Sequence, residues 1–161
     1  MYKIVLDADG LIKLAKSGLL NKLPQLAKCH ISKQVYTEAV ERGKEKMYED
    51  AYAIDALIHS GEIDVISMKT NIIDSSLSSG EILSLELYKK LKADAIISDD
   101  RRFLNLLNQE KCEYIIPADI IVILAKSRKV TKEEAINGLN KIRTLVREDV
   151  YLSALKRLGG E

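Results

Sequence analysis

Ile4-Val5-Leu6-Asp7-Ala8-Asp9-Gly10 and, far along the chain, Ala95-Ile96-Ile97-Ser98-Asp99-Asp100 share one form, a short apolar run ending in two carboxylates. Such runs, alternating with longer stretches of helical period, decide the fold. Outward from the first, Ile4 to Leu6 predicts a strand and Leu11 to Lys16 a helix. Cys29 to Ile31 predicts a second strand, with Ser32 placed to cap a helix over Lys33 to Glu41. A further helix is expected from Glu45 to His59, stopping at Ser60-Gly61, and a third strand from Ile63 to Ile66. Ser78-Ser79-Gly80-Glu81 opens a helix to Leu91. Ala95 to Ser98 is the fourth strand, and Asp99-Asp100 opens a helix through Leu107. Tyr114 to Ile116 is the fifth strand, ended by Pro117, with a helix from Ala118 to Ser127. Strand and helix taking turns predict an α/β fold, a parallel β-sheet of about five strands with helices on both faces.

The C-terminal part differs. Thr131-Lys132-Glu133-Glu134 is a capping box in front of a long helix, along which Ala135, Ile136, Leu139, Ile142, Leu145 and Val146 make one apolar stripe. Val150 to Leu158 predicts a last short helix before Gly159-Gly160. With no strand to cross over to, these helices fit a cover over one edge of the sheet or a dimer surface. The expected organisation is a single domain over residues 1–161, with residues 131–158 as a helical extension packed on it.

Composition narrows the classes. The chain has 161 residues, 47% of them hydrophobic, with 8 Gly and 2 Pro, which excludes disordered and collagen-like character. No run approaches the ~18 apolar residues of a membrane span, and Asp7 interrupts the N-terminal apolar run too early for a secretory signal. A cytoplasmic protein with reduced thiols at Cys29 and Cys112 is expected. Lys and Arg total 25 against 24 Asp and Glu. Nucleic acid would therefore have to be held by a local patch.

In a parallel α/β sheet, the loops leaving the carboxyl ends of the strands open on one rim, where ligands bind. Asp7 and Asp9 follow the first strand and Asp99 and Asp100 the fourth, so two acid pairs converge. Like charges there raise one another's pKa unless a cation neutralises them, and oxygen ligands alone favour Mg2+ or Mn2+. Helix capping is the competing account, and it explains one acid per helix. Glu38 lies about 130° from the centre of the stripe formed by Val35, Tyr36, Ala39 and Val40, so periodicity alone makes it a solvated side chain. Glu81 completes a capping box with Ser78, yet opens a helix apolar nearly all round. Glu86 is a second candidate from that helix, and spacing does not choose between them.

The whole chain resembles a PIN domain, the metal-dependent ribonuclease fold of VapC-type toxins. Ile4 to Ile12 resembles the family's opening strand and first acid, Val35-Tyr36-Thr37-Glu38-Ala39-Val40 its second motif, Gly80-Glu81-Ile82-Leu83-Ser84-Leu85 its third, and Ile96-Ile97-Ser98-Asp99-Asp100-Arg101-Arg102-Phe103 its fourth. The resemblance implies an acid quartet of Asp7, Glu38, Glu81 and Asp100 holding one or two Mg2+ or Mn2+ ions, with Asp9 and Asp99 as further ligand candidates. Glu81 stands where many toxins carry Asp, and Asp9 where a small hydroxyl or amide residue is more usual. The C-terminal helices resemble a longer prokaryotic subgroup.

The resemblance implies an endoribonuclease that leaves a 5′-phosphate and a 3′-hydroxyl. Asp7, Glu81 and Asp100 would hold the metal, and Glu38 would orient or deprotonate the water. Arg101 and Arg102 begin a helix, where the macrodipole disfavours cations; a phosphate clamp extended by Lys13 and Lys16 is one account and a solvated first turn the other. Tyr48 and Tyr52, one turn apart, suit either base stacking or a place in the core or an interface. His30 and His59 have no role as ligands. RNA is the expected substrate, with an antitoxin protein and a second copy of the chain as expected partners. Two rivals stand beside this. Val5 to Gly10 also resembles the first motif of haloacid-dehalogenase-like phosphatases, with Asp7 as nucleophile and Asp9 as acid and base. The other rival is a catalytically silent PIN-like interaction module.

Overall fold

The computed structural model describes residues 1–73 and 76–159. Its centre is a sheet of five strands, β1 (Tyr2–Leu6), β2 (Ala27–Ser32), β3 (Ile63–Ile66), β4 (Ala95–Ile97) and β5 (Tyr114–Ile115). They lie in the order β3-β2-β1-β4-β5, and every pairing is parallel. The chain builds outward from β1 to β3, then returns to lay β4 against the other side of β1. The direction of winding therefore reverses between β1 and β4, and in open parallel sheets that switch point is where a crevice forms at the strands' carboxyl ends.

Nine α-helical segments occur among the described residues: α1 (Ala8–Ser17), α2 (Lys33–Tyr36), α3 (Arg42–Glu45), α4 (Glu49–His59), α5 (Ser79–Leu91), α6 (Arg101–Gln109), α7 (Pro117–Lys126), α8 (Lys132–Lys141) and α9 (Glu148–Arg157). Alternation along the central strands divides the core. Ile4, Leu6, Cys29, Ile31 and Ile97 face one layer with Leu11 and Leu14 of α1, Ile54 of α4 and Ile121 of α7. Val5 and Ile96 face the other, where Leu87 of α5 and Phe103 and Leu107 of α6 are fully buried. Val5-Leu6 of β1 and all of β4 are buried on both faces, so there the sequence reads as a continuous apolar run.

Several local expectations are corrected. The helix expected over Lys33 to Glu41 is α2 followed by one π-helical turn, Thr37–Glu41, that runs into α3; α4 starts only at Glu49. The sequence pattern also missed a 3-10 stretch at Leu20–Gln25. The long helix after the Thr131 capping box ends at Lys141 and gives way to a 3-10 turn at Arg143–Leu145, so Leu145 leaves the apolar stripe and is 41% exposed. Ala135, Leu139 and Ile142 are buried, because α8 and α9 pack on α1 and α7 rather than on a sheet edge. The stripe is thus used inside the chain and is not left as a dimer surface. Gly159 takes the left-handed conformation after α9 (φ 76°), while Gly160 lies outside the described residues.

Candidate active site

Asp7 ends β1 and caps α1, its Oδ1 accepting the Gly10 N–H at 2.7 Å. Gly10 lets α1 start hard against β4: a Cβ there would lie 2.4 Å from the Ile97 carbonyl oxygen. This closeness sets Asp7 beside Ser98, whose hydroxyl donates to Asp7 Oδ2 at 2.5 Å and accepts the Asp100 N–H at 3.2 Å. Asp100 in turn caps α6, accepting the Phe103 N–H at 3.0 Å. Capping and site membership therefore coincide in Asp7 and Asp100. Ser98, fully buried, ties them together and was missed by sequence reasoning. Its one signal was a hydroxyl residue between a buried strand and two acids.

Glu38 sits in the π turn. Such a turn takes in an extra residue, so each residue in it advances by less than the ~100° of an α-helix, and π bulges occur often at functional sites. The wheel that put Glu38 toward solvent assumed an unbroken α-helix. Its carboxylate lies against the start of α5, where a Cβ on Gly80 would be 2.9 Å from Oε1 and 3.0 Å from Oε2, and Oε1 also accepts from the Gln34 amide at 3.3 Å. Glu81, beside Gly80, forms the capping box with Ser78. Glu86 points elsewhere and accepts the Thr70 hydroxyl at 2.9 Å.

Asp7, Asp9, Glu38, Glu81 and Asp100 line one pocket of about 200 Å³, completed by Ala8, Ser78 and Gly80. No lysine or arginine lines it. The electrostatics follow. Burial pushes the Asp7 carboxyl up to about 7, against the lowering effect of its bonds from Ser98 and Gly10, and the charges of Asp9 and Glu81 add to the rise. Glu81 is raised as well, mainly by burial and further by Asp100 and Glu38, while the Ser78 N–H and the Arg102 guanidinium oppose the rise.

The remaining predicted residues fall outside this pocket or on its edge. Lys13 Nζ lies 3.2 Å from Asp9 Oδ1 and 3.1 Å from Asp99 Oδ2, and Asp9 Oδ2 accepts the Asp99 N–H at 3.1 Å. Lys13, expected on phosphate, thus neutralises two acids expected on metal. Arg101 and Arg102 are exposed; Arg101 faces a separate cavity with Lys13 and Asp99, and Arg102 is the one near Glu81. Lys16 pairs with Asp50 at 3.0 Å. Tyr48 and Tyr52 are about half exposed, at 48% and 52%, and so are not core. His30 is buried in β2, and His59 turns its Nδ1 to the Asp55 carbonyl. Cys29 and Cys112 are buried free thiols.

The five-stranded parallel sheet, the acids at its switch point and the helical C-terminus bear directly on kinship. The model of the DUF3368 family, described as a PIN domain, matches residues 3–160. The chain belongs to the PIN domain family. PIN domains are in general nucleases and typically use divalent metals. No curated protein matches the chain. Among the described residues of this PIN domain, no helix is long and apolar enough to cross a membrane.

The pocket suits the ion that PIN domains typically take in its chemistry and its charge. Its donors are hard oxygens, with no thiolate or imidazole, and it buries an acid with no resident cation. Among the described residues, no three Asp, Glu, His or Cys side chains are gathered into a ready-made cage.

Proposed function

We propose that this PIN domain is a metal-dependent endoribonuclease that hydrolyses phosphodiester bonds of RNA. The observation supporting it is that acids from four separate stretches of chain line one cation-free pocket at the switch point of the sheet. Asp7, Glu81 and Asp100 are the residues that would hold Mg2+ or Mn2+, with Asp9 at the edge of the set. The bound ion would supply the positive charge that neutralises the phosphate and eases deprotonation of water. The Ser98 hydroxyl bonds both the Asp7 carboxylate and the Asp100 backbone N–H, tying the ends of β1 and β4 together. Glu38, aimed over Gly80, takes the proton of the attacking water. The water oxygen bonds to phosphorus, the P–O3′ bond breaks, and the 3′-oxygen takes a proton from solvent, leaving a 5′-phosphate and a 3′-hydroxyl. Arg102, near enough to Glu81 to act on its charge, would meet a neighbouring phosphate.

The finer biological reading is the toxin of a toxin–antitoxin pair acting in the cytoplasm, with an antitoxin protein covering the pocket. A homodimer would have to form through a surface other than the α8 stripe. The phosphatase alternative needs Asp9 as acid and base, whereas Asp9 here is engaged by Lys13 and the Asp99 N–H.

Labelled single-stranded RNA incubated with the protein and Mn2+ tests the reading, with Asp100→Asn as control. Products bearing 5′-phosphates, lost on chelation and in the variant, are expected. Intact RNA together with phosphate release from small esters would replace the proposal with the phosphatase. Calorimetry showing no Mn2+ uptake, with RNA intact, would replace it with a silent interaction module.

A further inference from the structure

The acid pocket does not end at Glu38. Ala8 and Glu38 also line a second cavity of about 340 Å³ with Lys16, Arg42, Lys46 and Tyr48, and Lys16 and Tyr48 continue into a third of about 500 Å³ that reaches Lys141. The three form one furrow from the acids across α1, α3 and the start of α4. Its charge is the reverse of the pocket's. Beyond Glu38, which it shares with the acid pocket, the furrow's acids are Asp50, buried and answered by Lys16, and Glu49, against the cations Lys16, Arg42, Lys46 and Lys141. Arg42 and Lys46 have no carboxylate partner among the described residues.

Tyr48 is held where the furrow turns. Here α3 ends in a Schellman motif: the Met47 N–H bonds to the Lys44 carbonyl at 2.9 Å and the Tyr48 N–H to the Gly43 carbonyl at 3.0 Å. Its left-handed position, usually glycine, is Met47 at φ 57°. The motif fixes the Tyr48 backbone at the head of α4, and leaves the ring about half exposed, with Lys16 Nζ 5.4 Å and Lys46 Nζ 5.9 Å from its centroid. An aromatic face flanked by ammonium groups beside unpaired cations is the composition that grips single strands: the ring stacks an unpaired base and the cations take its phosphates. Stacking would send one ammonium from the ring to the adjoining phosphate.

We infer that the substrate strand leaves the acid pocket along this furrow, with an unpaired nucleotide stacked on Tyr48 and its backbone held by Arg42 and Lys46. The inference rests on the nuclease reading for the nature of the strand, and it selects single-stranded over duplex RNA. It also moves the phosphate track away from Lys13, which two carboxylates neutralise, and Arg101, which faces a separate cavity.

The test is binding of fluorescein-labelled single-stranded RNA, followed by anisotropy in EDTA so that no cleavage is needed. A blunt duplex of the same sequence serves as comparison. Tyr48→Ala should weaken single-strand binding roughly five- to a hundredfold, and Tyr48→Phe should restore it. Arg42→Gln with Lys46→Gln should lower the salt slope by about 1.4, near 0.7 per lost phosphate contact. Circular dichroism melts exclude unfolding as the cause. Equal binding by Tyr48→Ala and wild type, or equal binding of duplex and single strand, would overturn the furrow. So would a loss confined to Arg101→Gln and Arg102→Gln. Selective binding through Tyr48 without cleavage in Mn2+ would defeat the nuclease reading and leave the furrow standing; cleavage untouched by Tyr48→Ala would do the reverse.

Discussion

The acid pairs that follow β1 and β4 occupy equivalent places in the chain, yet the fold sorts their members into two unlike groups. Asp9 and Asp99 share Lys13, whose ammonium lies within salt-bridge distance of both. Burial alone would lower Lys13, but the two carboxylates outweigh it and keep the group more firmly charged than usual. Asp99, raised mainly by burial, is held back by that same lysine. Asp7 is compensated only by neutral donors, the Gly10 N–H and the Ser98 hydroxyl. A buried carboxylate is costly unless paired, so the first group is complete as it stands, whereas the second gains by taking a cation from outside. Counting acids at a rim is thus less informative than asking which of them the protein has already neutralised.

That contrast breaks most readily at the level of activity. Asp100→Asn and Glu81→Gln should each reduce the single-turnover rate of RNA cleavage at least a hundredfold, while Asp99→Asn should cost no more than about tenfold. Similar losses in all three would erase the distinction between the groups.

Stability against pH gives the next largest effect. Asp7 titrates near 7 in the fold against 3.8 for an ordinary aspartate, so between those values the native state binds more protons than the unfolded chain. Stability of the metal-free protein therefore falls as pH rises from about 4 to about 7 and levels off above, with an upper bound of about 4 kcal/mol from this group. Glu81 and Asp99, also raised, add to the fall. Asp7→Asn isolates one share, because the amide can accept from Gly10 while the Ser98 hydroxyl turns to accept from it. Urea unfolding in EDTA should find the variant more stable than wild type at pH 8 and similar at pH 4. An equal pH dependence in both would mean that Asp7 is not the uncompensated acid.

The sequence carried the architecture because each central strand is an apolar run ending in a polar marker, as at Leu6-Asp7 and Ile97-Ser98-Asp99-Asp100, and the intervening helices keep a clean period. It carried Asp7 and Asp100 as site candidates for the same reason. It did not carry the position of Glu38, since a π turn changes the angle per residue and leaves no mark in the apolar pattern. Nor did it separate Glu81 from Glu86, both on α5, because the choice depends on where the helix start meets Glu38 in space. The pairing of Lys13 with Asp99 joins residues distant in the chain, and no local rule reports it.

Removing the resident cation sharpens the comparison from the other side. Lys13→Gln would leave Asp9 and Asp99 facing each other without compensation, at a cost of about 2 kcal/mol for a partly buried pair. At 161 residues, that is a drop of roughly 4 to 8 °C in Tm, read by calorimetry at pH 7. If Tm is unchanged, the triad is not a neutralised unit and the structural half of the contrast fails.

The smallest effect is the most specific. Ser98→Ala removes two hydrogen bonds, one to the Asp7 carboxylate and one from the Asp100 N–H, and leaves both strands intact. The expected loss is about 1 kcal/mol at pH 7. Because the hydroxyl favours the charged form of Asp7, its loss should carry the Asp7 carboxyl further upward. A proton and a cation compete for the same oxygens, so the pH at which Mn2+ affinity reaches half its maximum should rise in the variant, measured by calorimetric titration between pH 5 and 9. The destabilisation alone would be expected of any buried serine. The displaced midpoint distinguishes a residue that tunes the acid from one that only packs beside it, and an unmoved midpoint would assign Ser98 to packing.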